Sequence, residues 1–230
     1  MGCRPRMNSG PPFGGPGSGL DGRLGRHPVW LLYRQEPAEL ERYFVSELSD
    51  ARVALIDHLK GHAVRTDGPF TLRSGAVSSW YIDARQTTFS GSGAVIVGRA
   101  VLEEIPEGID AVGGMTMGAD PIAVATAIAA ESAGRTVGSF SIRKNDKTHG
   151  TGGRLVGPVS KGSRVVALED TTTTGSALAE AIEALGDAGV VVEKAVALVD
   201  RSAGAARMRI EAMGIAYVAI VTPTDLGVED

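Results

Sequence analysis

Cysteine is almost missing from this chain. Its 230 residues include one, Cys3, so no internal disulfide can form. That usage suits a reducing compartment, and the expected localisation is cytoplasmic. No run of about 18 apolar residues occurs, which argues against a membrane-spanning helix. A positive excess is lacking too: 23 Lys and Arg face 27 Asp and Glu, a formal net charge of −4. No broad basic surface for nucleic acid is expected, although clustered positive side chains can still bind small anions. Residues 1–28 are poor in apolar side chains and rich in Gly and Pro. They cannot bury enough surface to offset the entropy of ordering and are expected to be disordered. No apolar segment follows the early arginines, so a signal peptide is not expected.

What is present reads as one domain over residues 29–230. Leu40, Phe44, Leu48, Leu55 and Leu59 recur at helical spacing between 37 and 60, with a slip near Asp50 that suits a cap between two helices. Residues 70–84 have the alternation of a hairpin, with Ser74-Gly75 at its turn. The stretch 92–105 is rich in β-branched residues but is long and stops before Pro106, which favours a helix. Beyond it, elements alternate. A short apolar run at 110–113 leads to an Ala-rich helix over 120–133 and a strand over 136–142. A polar, Gly-rich stretch follows over 144–157. Strands over 164–168, 191–199 and 215–221 are then separated by helices over 175–189 and 203–213. Such alternation implies an α/β domain with crossover connections and a mainly parallel sheet. Ligands of such sheets bind at the carboxyl ends of the strands.

At one such end stand two acids, Glu169 and Asp170, followed by Thr171, Thr172, Thr173, Thr174 and Gly175. N–H groups at a helix start bind anions, glycine lets a phosphate approach closely, and threonine hydroxyls add donors. The carboxylates would repel a phosphate but accept hydrogen bonds from sugar hydroxyls, and a magnesium ion nearby would suit them. A site with phosphate at one end and hydroxyls at the other suits a ribose 5-phosphate. The same residue types also make an ordinary helix cap, so composition alone leaves both readings open. The turn lacks the Gly-Lys-Ser/Thr ending of a Walker loop. A second cluster sets Arg143, Lys144, Lys147 and His149 within seven residues of an otherwise acidic chain, followed by Gly150, Gly152 and Gly153. By itself it reads equally as a solvated turn.

The acid–threonine–glycine segment resembles the phosphoribosyl pyrophosphate signature of type I phosphoribosyltransferases. Three further segments resemble the orotate phosphoribosyltransferase family in particular. Residues 70–75 with Trp80, Asp83 and Arg85 look like its N-terminal hood. The run Gly113-Gly114-Met115-Thr116-Met117-Gly118 looks like its pyrophosphate loop. Arg143, Lys144, Lys147, His149 and Gly150 match its mobile catalytic loop. Together these cover about residues 70–201 in consistent order.

The resemblance implies a type I phosphoribosyltransferase-like fold, with a central mainly parallel sheet flanked by helices, a hood at about 37–90 and a core at about 91–230. It implies transfer of phosphoribose from 5-phospho-α-D-ribosyl 1-pyrophosphate to orotate, with Mg²⁺ carried mainly by the donor rather than by direct protein ligands. No covalent nucleophile is implied. Lys144, Lys147, His149 and Asp170 would be catalytic. Arg73, Arg143, Glu169, Ser176 and Ala177 would join the threonines and Gly175 in binding substrate. Arg201, after another strand's end, would take the orotate carboxylate as a two-pronged donor. The loop would be shared across a homodimer. Departures from the family pattern are Arg73 and Met117 where lysines are common, Asn145 for a common glutamate, and Glu169 for a common aspartate. Two other readings are open: a phosphoribosyltransferase for a purine base, and a non-catalytic regulator that senses the donor.

Overall fold

The expected alternation of strands and helices is present, and it builds one six-stranded sheet covered on both faces. The computed structural model describes residues 51–71, 75, 77–145 and 153–228. The Gly- and Pro-rich tail, the helical pattern before residue 51 and the Asp50 cap lie outside the described residues.

In chain order the elements are α1 (Ala51–His62), β1 (Val64–Arg65), β2 (Phe70–Thr71), β3 (Val77–Ser78), β4 (Tyr81–Ile82), α2 (Arg85–Thr88) and α3 (Gly91–Leu102). Then come β5 (Ala111–Met115), α4 (Ala119–Ser132), β6 (Gly138–Ile142), β7 (Leu155–Val156), β8 (Arg164–Thr172), α5 (Ser176–Asp187), β9 (Val191–Asp200), α6 (Ala205–Glu211), β10 (Ala216–Val221) and α7 (Pro223–Leu226). The sheet order is β10-β9-β8-β5-β6-β7. All neighbours run parallel except β7, which closes the edge antiparallel to β6. From β5 the chain crosses to β6 on one side and later to β8 on the other. The crevice between β5 and β8 is therefore the point where strand order reverses.

Alternate residues of the strands feed two cores. Val112, Val166, Leu168, Val196 and Leu198 pack beneath α1, α3 and α4. Val165, Ala167, Ala195 and Ala197 face Leu178, Ile182 and Leu185 of α5 on the other side. Helix α1 contains Gly61, which costs about 1 kcal/mol against alanine. Leu55 and Leu59 are fully buried, and each contributes roughly 1.5–3 kcal/mol, so burial rather than intrinsic propensity holds this helix. Helices α3 and α4 approach closely because Gly98 has no side chain. A Cβ there would lie 2.4 Å from the Ala125 carbonyl oxygen.

Several boundaries differ from the expectation. The 70–84 hairpin is split. Phe70 and Thr71 pair with Ser78 and Val77, but Tyr81 and Ile82 pair with Arg65 and Val64 in a separate ribbon. The break sits at Trp80, which is buried, while Ser78 Oγ donates to the Trp80 carbonyl at 2.8 Å and accepts its N–H at 3.3 Å. Strand β8 does not stop at Leu168. Pairing with β9 continues through Glu169↔Ala197 to Thr172↔Asp200, so the acids and two threonines belong to the strand and only the last three residues form the turn. The 144–157 stretch hides β7, and the short helices α2 and α7 carried no periodic signal. Helix α3 is set by Ser90, whose Oγ accepts the Gly93 N–H at 3.0 Å.

Candidate functional site

A cavity of about 520 Å³ opens where the chain directions reverse. The end of β8 gives it Glu169 and Asp170, with Ala177 from the first turn of α5. The end of β5 and its turn give Met115, Thr116, Met117 and Gly118. Lys144 enters from the end of β6, and Arg85 enters from α2.

The two carboxyls are uncomfortable neighbours. Burial, and then the negative charge of Asp170, push the Glu169 pKa up to about 8. Its Oε2 is buried with no hydrogen-bond partner among the described residues. Burial also raises Asp170, against the pull of the Thr171 N–H, which it accepts at 2.7 Å, and the positive charge of Arg85. A buried acceptor without a donor is costly. It fits a ligand that brings donors or a cation.

The turn after the acids is shaped from within. Thr172 is buried, and its Oγ1 accepts the Gly175 N–H at 3.0 Å. Gly175 takes φ +73°, and a Cβ there would meet Ala206 Cα at 3.0 Å, so glycine is required on two counts. Thr173, Thr174, Ser176 and Ala177 are exposed. Thr174 and Ser176 share a hydroxyl hydrogen bond of 2.8 Å. Gly175 offers no side-chain cap, which leaves the start of a 12-residue helix as an anion site.

Across the crevice, Thr116 Oγ1 donates to Asp120 Oδ2 at 2.7 Å, fixing the turn that follows β5. Gly118 lies against the acids: a Cβ on it would stand 2.7 Å from Asp170 Oδ1. Met117 is 60% exposed and brings no charge to this turn. At the base of the 143–154 segment the Arg143 N–H donates to the Arg154 carbonyl at 2.9 Å. Arg154 in turn contacts Glu180 of α5 and the sulfur of Met115, the latter at 3.8 Å.

The end of β9 supplies Arg201. Its N–H donates to the Thr172 carbonyl at 2.8 Å, and its guanidinium lies 3.9 Å from the centre of the Trp80 ring. The preceding Asp200 is buried and fully engaged: Oδ1 accepts the Ser202 N–H at 2.7 Å and Oδ2 accepts the Tyr217 hydroxyl at 2.9 Å. Burial and the Asp200 charge push the Tyr217 pKa strongly upward, so it remains a donor.

No protein-family model matches the chain. Whole-sequence likeness is extensive nonetheless. Orotate phosphoribosyltransferase of Streptomyces avermitilis is 40% identical over 183 residues, which span 79% of this chain and 100% of that protein. The chain belongs to the orotate phosphoribosyltransferase family. A crystal structure of the Mycobacterium tuberculosis orotate phosphoribosyltransferase with Fe(III) dicitrate superposes with a TM-score of 0.67 at 35% identity. It covers 77% of this chain and 99% of that one. The same enzyme in complex with 5-phospho-alpha-D-ribosyl 1-diphosphate gives 0.64 at 31% identity, with the same coverage. The type I phosphoribosyltransferase fold expected from the sequence, with its mainly parallel sheet flanked by helices, is thus present.

Of the residues picked out by resemblance to this orotate phosphoribosyltransferase family, the structure brings Lys144, Glu169, Asp170 and Ala177 to one cavity. It sets Thr171, Thr172, Thr173, Thr174, Gly175 and Ser176 along the adjoining strand end and turn, and Arg201 on the neighbouring strand. Arg143 precedes Lys144 at the end of β6 and is half-buried. Arg73, Lys147 and His149 lie outside the described residues. Sequence reasoning quoted Arg85 but gave it no role. Its position on a four-residue helix depends on tertiary folding, and the one available signal was a lone arginine near Asp83. The closeness of Gly118 to Asp170 joins residues far apart in the chain and left no local signal.

Proposed function

We infer that this chain transfers the 5-phosphoribosyl group of phosphoribosyl pyrophosphate to orotate, yielding orotidine 5′-phosphate and pyrophosphate in pyrimidine nucleotide synthesis. The observation that carries the reading is the half-buried pair Glu169–Asp170, with Glu169 Oε2 lacking a partner among the described residues, beside the open start of α5. The one demands donors or positive charge, and the other demands an anion.

Each group has a task. The exposed hydroxyls of Thr173, Thr174 and Ser176, with the Ala177 amide at the start of α5, grip the 5′-phosphate. Thr172 holds that turn in shape, and the Thr171 N–H holds the Asp170 carboxyl. Glu169 and Asp170 accept hydrogen bonds from the ribose hydroxyls and favour the positive sugar as the glycosidic bond loosens. Lys144 and Arg85 face the departing pyrophosphate, with Arg143, Lys147 and His149 assigned to the same end and Arg73 to the hood side of the donor. Arg201 pairs with the orotate carboxylate. Catalysis is then positioning and electrostatics, without a covalent intermediate.

Oxygen donors of this kind suit Mg²⁺, and Glu169 Oε2 has no other partner among the described residues. When bound, Mg²⁺ would neutralise charge on the donor. Among the described residues no three His, Cys, Asp or Glu side chains gather to hold a metal alone, so the acids would share it with the donor. A homodimer is part of the proposal. Val95 of α3 and Val124 and Ile128 of α4 are more than half exposed on two helices that pack together, an apolar face that suits a second copy. Among the described residues no helix is long and apolar enough to cross a membrane.

The test is loss of orotate ultraviolet absorbance with the donor and Mg²⁺, against an EDTA control. Magnesium-dependent loss with pyrophosphate release is expected. No loss with donor binding intact overturns the reading and directs the assay to purine bases.

A further inference from the structure

We propose that Trp80 is a positioning residue for base selection, whose buried ring face holds the Arg201 guanidinium ready for a carboxylate. The proposal rests on the assignment of Arg201 to the base carboxylate.

The backbone of Arg201 is already fixed. Its N–H is tied to Thr172, and the flanking turn is held by Asp200, which is itself held by Tyr217. An arginine side chain has many rotamers to lose on binding. Contact with Trp80 restricts them. At 3.9 Å from the ring centre the guanidinium is well within stacking range, and the ring, 1% exposed, cannot turn away. Ser78 fixes the Trp80 backbone through both its N–H and its carbonyl.

The nature of the side chain supports this role. Trp80 Nε1 is buried and has no hydrogen-bond partner among the described residues. A buried indole normally places that group on an acceptor. Bulk alone could be supplied by leucine or phenylalanine without burying an unpartnered N–H. The property that tryptophan adds is the ring face with the most negative potential, and that face is where Arg201 lies. The ring lies against the guanidinium, whose planar fork is the group that meets a carboxylate two-pronged. A base without a carboxylate gains nothing from such preparation.

The experiment compares Trp80→Phe, Trp80→Leu and Arg201→Gln with the parent enzyme, with separate KM values for orotate and donor and turnover of uracil beside orotate. In Trp80→Leu the orotate KM should rise about tenfold, the worth of one partly desolvated cation–π contact. Trp80→Phe should show a smaller rise. Donor KM and the low uracil rate should not change. If Arg201→Gln leaves the orotate KM alone, the parent assignment fails. If Arg201→Gln raises it while both Trp80 variants match the parent enzyme, this proposal alone fails. An equal rise in donor KM would mark a structural role and overturn it too. Should Trp80→Leu not fold, a Trp30→Phe background leaves Trp80 as the sole tryptophan of the two in the chain. Its emission should then change on Arg201→Gln, and identical spectra would overturn the stack.

Discussion

Arg143 and Arg154 clasp one another: the Arg143 N–H donates to the Arg154 carbonyl at 2.9 Å, and Arg154 Nε donates to the Arg143 carbonyl at 2.7 Å. The far end of the Arg154 side chain reaches Glu180 on α5. One arginine therefore ties the backbone next to Lys144 to the helix that starts at the phosphate turn.

Replacing Arg154 by leucine should loosen Lys144 without touching the acids. A fall in turnover of about tenfold is expected for a displaced charge. The melting temperature should also drop, because the hydrogen bond to the Arg143 carbonyl is charge-assisted and worth about 1.5–3 kcal/mol. Steady-state kinetics beside thermal unfolding check this. Parental turnover with lowered stability would show that the clasp serves folding alone.

Glu169 gives a pH prediction. Its pKa rises from the model-peptide value of 4.5 to about 8 on folding, so between those values the folded protein binds more protons than the unfolded chain. Stability contributed by this group is full below pH 4.5 and is lost as pH rises through 8. Glu169→Gln cannot ionise. In ligand-free protein the variant should gain little over wild type at pH 5 and on the order of 1–3 kcal/mol at pH 8.5, after discount for partial solvation. Melting curves at the two pH values read this directly, and a gap that is constant with pH refutes it.

Gly118→Ala should impair donor use more than stability. The new Cβ must displace the Asp170 carboxyl, which lies 2.7 Å from its position, and overpacking of this kind costs roughly 1–3 kcal/mol. Donor KM should rise several-fold with orotate KM unchanged. Calorimetric donor affinity equal to wild type would count against this packing.

Thr172→Val keeps the shape of the side chain but removes the acceptor for the Gly175 N–H. Because Thr172 is buried, an unpaired donor there should cost about 1–3 kcal/mol, with a higher donor KM. Thr173→Ala, at an exposed position, should raise donor KM with little loss of stability. Chemical denaturation of the pair tests the division between a turn-shaping threonine and a ligand-facing one. Equal stability losses would erase it.

Legibility in the sequence followed the range of the interaction. The apolar run before Glu169 and the 3.6-residue period of α5 are local, and both elements were readable. The acids, threonines and Gly175 were readable as a site because one short segment carries all of them. The length of β8 was not. It continues through the acids because β9 supplies partners as far as Asp200, and pairing overrides the turn propensity of Asp and Thr. Resemblance placed Trp80 in the hood but gave it no role of its own, since its meaning depends on Arg201 in another strand's loop. Tyr217 read only as a strand residue, because periodicity says nothing of where a hydroxyl points.

Strand order separates two tasks. In the proposed assignment the grip on the donor sits at the end of β8, and the choice of base sits at the end of β9. Beyond the strand pairing, the two ends are joined by the Arg201 N–H to the Thr172 carbonyl, a bond any residue other than proline at position 201 could make. On that assignment a change of acceptor is a matter for the short turn after Asp200 and the Trp80 ring that meets it, two places that can be altered without touching the acids and threonines of β8.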